Sequence, residues 1–111
     1  MGMRVLIIGT QEDLFKCIQA DNKDKDVADH DSLGYDYLNP YLQFRKSDLI
    51  GWHPEEDARA YEVFDCRNAP EYRSVYSFES EKKDKYEKNR YFDVFRSLSE
   101  DQVFTVCDGH L

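Results

Sequence analysis

Ala58-Arg59-Ala60-Tyr61-Glu62-Val63-Phe64-Asp65-Cys66-Arg67, then Asn68-Ala69-Pro70-Glu71, then Tyr72-Arg73-Ser74-Val75-Tyr76-Ser77-Phe78-Glu79, reads as two strands folded back on each other across a turn. Tyr61, Val63, Cys66, Val75, Tyr76 and Phe78 supply β-branched and aromatic side chains. Arg59, Glu62, Asp65, Arg67, Arg73 and Glu79 are interspersed among them, the pattern of a half-buried hairpin. The hairpin supplies a core element and no chemistry of its own.

The rest of the chain must close a small fold around it. A chain of 111 residues buries roughly two-thirds of the surface it exposes when unfolded, enough for one core without disulfides. Residues 1–111 are therefore expected to form a single α+β domain. Charged residues make up 34% of the chain and aromatic residues 14%. The surface is thus highly charged, while the aromatic content is too high for a disordered chain.

Arg4 to Ile8, bounded by Gly9, is a continuous apolar run of strand length, which predicts a strand covered on both faces in the middle of a sheet. Thr10 is placed to cap a following helix, with Glu12 and Asp13 at its positive end. Leu14, Phe15 and Ile18 form its expected buried stripe, ending near Ala20.

Asp21 to Asp36 holds six carboxylates (Asp21, Asp24, Asp26, Asp29, Asp31, Asp36) against Lys23 and Lys25, half of the net charge of -8. The plain reading is a solvated loop; the functional readings are a calcium site or an acidic docking surface. Spacing rejects calcium. Counted from Asp29, an EF-hand loop has Asp31 and Gly34 in place, but Leu33 on a ligand position and Pro40 where the bidentate Glu belongs. No metal and no cofactor are expected.

One strand is expected between Leu42 and Trp52, with Leu42 and Phe44 alternating against Gln43 and Arg45, and a single turn at His53 to Asp57. Tyr91, Val94, Phe95 and Leu98 then fall at helical spacing, with Asp84 and Glu87 near the start and Lys82, Lys83, Lys85, Lys88, Arg90 and Arg96 on the other face. Val103 to Cys107 is a closing strand. The resulting order βαβββαβ, a mixed or antiparallel sheet with two helices, resembles a ferredoxin-like split βαβ arrangement with one extra strand. That resemblance is of element order and implies no function. The expected core is Val5, Ile7, Phe15, Ile18, Val63, Val75, Tyr91, Phe95, Leu98 and Val106.

Catalytic readings find little support. The strand, Gly9-Thr10 and helix sequence invites a nucleotide or small-ligand site, but it has one glycine where a dinucleotide fingerprint needs three, and Glu12 and Asp13 stand where an anion would bind. Asp65 with Glu81-Lys82-Lys83 imitates a nuclease metal site, yet the two ends of a hairpin strand separate them by about ten residues at about 3.3 Å each. His30, His53 and His110 are scattered, and His30 reads as a surface residue despite its flanking acids. Cys17, Cys66 and Cys107 lie in apolar surroundings with no C-x-x-C pair, so they read as buried thiols of a reducing, cytoplasmic compartment.

The acidic balance disfavours direct contact with nucleic acid or anionic membrane. The preferred reading is a non-catalytic binding or inhibitor module that docks Asp24, Asp26, Asp29, Asp31, Tyr35, Asp36, Tyr37 and Tyr41 on the basic surface of another protein, a nucleic-acid-handling protein being one class. In composition it is similar to immunity proteins and to the nucleic-acid mimics that phages direct against host defences, as a viral or bacterial accessory protein would be. The alternatives are the small-ligand enzyme or sensor at Gly9 and Thr10, and a homo-oligomer pairing the acidic loop with the basic helix of a second copy.

Overall fold

The computed structural model describes residues 3–48, 60–77 and 93–111. Their elements are β1 (Met3–Ile8), α1 (Gln11–Asn22), β2 (Tyr37–Arg45), β3 (Ala60–Asp65), β4 (Arg73–Ser77), a helical run at 93–97 (α2) and β5 (Val103–His110). This is the predicted order, in a small α+β domain. The turn expected at His53 to Asp57, Trp52, Glu81 and the basic residues Lys82 to Arg90 lie outside the described residues, as does Tyr91.

The sheet runs β2-β5-β1-β3-β4. β1 and β3 are parallel, and the other three pairings are antiparallel. β1 is therefore the middle strand, as its apolar run predicts. Val5 and Ile7 face α1 with Leu14, Cys17, Phe64, Cys66 and Cys107. Leu6 and Ile8 face the other way, among Val63, Val75, Leu98, Phe104 and Val106, with Val94 and Phe95 of α2 packed against them. A strand covered on both sides has no polar face to show in its sequence.

β5 lies between β1 and β2 and runs opposite to both, so β1-α1-β2 is a split unit. To that extent the ferredoxin-like resemblance holds. The parallel β1/β3 pair and the placement of α1 and α2 against opposite faces depart from it.

Thr10 caps α1 as its hydroxyl predicts. Its Oγ1 accepts from the Asp13 amide at 3.1 Å, and Asp13 Oδ2 accepts from the Thr10 amide at 3.0 Å, a reciprocal capping box. The buried stripe differs from expectation. Phe15 is 43% exposed, and Leu14 and Cys17 are buried, with Ile18 partly so. Phe15 lies about 100° around the helix from Leu14, off the face that Leu14, Cys17 and Ile18 share. Of the other expected core residues, Val5, Ile7, Val63, Val75, Leu98 and Val106 are buried and Phe95 is partly buried.

β2 starts five residues before Leu42, at Tyr37, and carries a bulge between Pro40 and Leu42. Just ahead of it, Leu33 (φ 57°) and Gly34 (φ 90°) form a tight turn closed by hydrogen bonds between Ser32 and Tyr35. Glycine takes that backbone without strain, and burial of Leu33 offsets the cost of its own positive φ. The turn drives Leu33 and Tyr35 into the core beneath α1.

All three cysteines are free and buried. Burial pushes each thiol up, Cys107 to about 12. The reactive thiolate is therefore scarce at neutral pH. Alkylation by iodoacetamide at pH 7.5 should be slow in the folded protein and complete at all three positions in denaturant. Rapid labelling of any one under native conditions would show that its surroundings are not those described.

Candidate docking surface and the hairpin cleft

The acidic segment is an ordered loop at the end of α1. The Asn22 side chain bridges to both backbone groups of Asp31, and Lys25 lies 3.4 Å from the carboxylates of both Asp21 and Asp31. A short 3-10 turn covers Val27–Asp29. Asp24, Asp26 and Asp29 are exposed, with no side-chain ion pair among the described residues. His30 is exposed as well, one ring nitrogen 3.3 Å from the Lys25 carbonyl.

The expected docking residues divide. Tyr35 is a correction: it is 2% exposed, its hydroxyl donates to Glu62 Oε1 at 2.7 Å, and its ring meets Phe64 edge-on, so it is a core residue and not a surface anchor. Glu62 also accepts from the Ser74 hydroxyl at 2.7 Å, so one carboxylate ties the loop before β2 to β4. Asp36 is exposed beside His110, and Tyr37 stacks on the same imidazole with centroids 5.4 Å apart. Tyr37, Tyr41 and Leu42 are 39%, 56% and 53% exposed, which puts an apolar patch on β2 immediately after the acidic loop.

At Gly9-Thr10 the polar groups are already engaged. The Gly9 amide donates to Val103, its carbonyl accepts from the buried Thr105 hydroxyl at 2.9 Å, and the amides of Thr10 and Asp13 serve the capping box. A Cβ on Gly9, whose φ is +140°, would lie 3.0 Å from the Asp13 carboxylate.

The second feature lies at the hairpin turn, where sequence reasoning placed no site. Asp65, the last residue of β3, is 5% exposed and is gripped by Arg67: Nε donates to Oδ1 at 2.9 Å, Nη2 to Oδ2 at 2.8 Å, and the Arg67 amide to Oδ1 at 3.1 Å. Arg73 Nη2 stands 3.7 Å from Oδ2. Burial alone would raise the Asp65 pKa, but these hydrogen bonds and the two guanidinium charges hold it below the usual carboxylate value. Asp65, Asn68, Glu71, Tyr72 and Arg73 line a cleft of about 120 Å³. The available sequence signal was the Asp-x-Arg spacing at a strand end, hidden in a hairpin whose charges alternate throughout.

Among the described residues, no group of three His, Cys, Asp or Glu side chains is arranged to hold a metal ion, and no helix is long and apolar enough to cross a membrane. Comparison of the chain with protein-family models, curated proteins and solved structures gave no match.

Proposed function

We propose that this protein is a non-catalytic, cytoplasmic binding module that docks on the basic surface of another protein. The observation that supports this reading is the exposure, within one stretch of chain, of two unlike kinds of side chain: the carboxylates of Asp24, Asp26, Asp29 and Asp36, and after them Tyr37, Tyr41 and Leu42 of β2. Acids steer a basic partner from a distance, over about one Debye length, near 8 Å at physiological salt. Aromatic side chains then hold it by desolvated contact. The buried free thiols agree with a reducing compartment.

The two parts should fail differently. Asp24, Asp26 and Asp29 can be changed together to Asn without breaking an ion pair among the described residues, so folding should survive while association slows by about 10-fold at low salt. Tyr41→Ala should leave association alone and speed dissociation. Surface plasmon resonance against the partner recovered by affinity capture, at low and high salt, separates the two effects. A triple-Asn variant that associates as fast as the parent at low salt would reduce the acidic loop to a solvated surface.

A further inference from the structure

The cleft at the hairpin turn is lined by none of the proposed docking residues. It lies where β3 ends at Asp65, opposite Ile8 at the end of the parallel strand β1. Its volume is about 120 Å³, that of a small open cleft.

The charges on its wall are of both signs. Arg67 makes the three short hydrogen bonds to the Asp65 carboxylate, at 2.8–3.1 Å, and Arg73 only a longer ion pair at 3.7 Å. The Arg73 guanidinium, with a side chain 58% exposed and its ion pair to Asp65 at 3.7 Å, keeps donors for an incoming carboxylate. Glu71 brings an exposed negative charge to the same cleft, and Asn68 a neutral amide. A simple anion would be repelled by Glu71 and a simple cation by Arg73. A small molecule carrying both charges meets both.

The wall is also fixed in advance. The Glu71 amide donates to the Asn68 carbonyl at 3.0 Å, and the Glu71 carbonyl accepts from the Cys17 thiol at 3.7 Å. The Tyr72 hydroxyl donates to Asp21 at 3.2 Å while its ring packs edge-on against Phe64. The ordering cost of binding then falls on the exposed side chains of Arg73 and Glu71.

We propose that this cleft binds a small zwitterion of the α-amino acid class, its carboxylate on Arg73 and its ammonium on Glu71. The test is titration of the ¹⁵N-labelled full chain with alanine, with acetate and methylammonium as single-charge controls and inorganic phosphate as an anion control. The expected result is saturable amide shifts within residues 65–73 for alanine and none for the three controls at the same concentration. Arg73→Gln and Glu71→Gln should each weaken alanine binding by about 10-fold or more. Both side chains are exposed, so both variants should fold, and the spectrum of each reports that directly. The variant with Asp24, Asp26 and Asp29 changed to Asn should bind alanine like the parent, which separates this site from the docking surface. Absence of saturable shifts with alanine, equal binding of acetate or phosphate, or parent-like affinity in both charge variants would overturn the proposal.

Discussion

Phe104→Ala should lower the unfolding free energy by about 3–5 kcal/mol, through lost transfer energy together with the cavity left behind. Phe104 is 0% exposed and lies on β5 opposite Ile8. Its ring is stacked on Phe44 at 5.7 Å and tilted against Phe95 at 6.0 Å, so aromatic contacts from β2 and α2 converge on one side chain. Neither neighbour can collapse freely into the gap. Phe44 is held by the β2/β5 register, and Phe95 lies under the Lys46 ammonium, which sits 4.9 Å from the ring and donates to the Leu98 carbonyl at 2.8 Å. A loss of this size is a large share of the about 5–15 kcal/mol that holds a typical domain folded. Phe15→Ala, at a residue 43% exposed, is the contrast and should cost far less. Urea unfolding of the two variants beside the parent checks both, and equal midpoints for Phe104→Ala and the parent would mean that the ring is not in the core.

Asp65→Asn should cost about 1.5–3 kcal/mol at pH 7, the range for hydrogen bonds to a charged group, and its cost should vanish in acid. A larger figure is not expected, because Arg67 and Arg73 have side chains 34% and 58% exposed and regain water when the carboxylate is lost. The direction of the pH dependence follows from the lowered pKa. The carboxyl titrates below its usual value of 3.8 in the folded protein. Its contribution is therefore complete above about pH 4 and is lost as pH falls through the folded value. Stability measured by urea at intervals from pH 7 to pH 2 should show parent and variant converging below about pH 4. Curves that stay parallel to the lowest pH would show that the charge of Asp65 contributes nothing.

The elements that were legible in the sequence are those whose burial is uniform. Val5 to Ile8 stands out because both faces of β1 are covered, and Thr10 with Asp13 because a capping box is written in adjacent residues. The sequence pattern places the start of β2 at Leu42, five residues late, for two physical reasons. Most of its residues are exposed, which erases the two-residue period, and the bulge at Tyr41 shifts the phase of what remains. Tyr35 reads as a surface residue because it precedes Asp36 in an acidic segment; the turn at Leu33 and Gly34, which points it inward, is formed by two positive φ angles that only the structure reveals. Cys17 is buried as its apolar surroundings suggest, whereas Phe15, expected in the same stripe, lies off the buried face. Of the candidate surface, the acids and Tyr37 and Tyr41 were readable as charge and aromatic content. The hairpin cleft was not, since it depends on a contact between residues 65 and 73 across a turn.

The position of β5 has a consequence for how the chain is made. β5 fills the gap between β1 and β2, so the eight residues Val103–His110 are the last of the sheet to leave the ribosome and the only described link between those two strands. Until they emerge, one hydrogen-bonding edge of β1 has no partner strand among those described, and β2 has none on either side. Open edges of this kind are templates for pairing with other chains, and the risk lasts until β5 has emerged. The entropic cost of so long a closure is modest, about 0.6 kcal/mol for each doubling of the loop, so the delay is one of time more than of energy. A nascent chain halted before Val103 is thus the form that a ribosome-bound chaperone has most reason to hold.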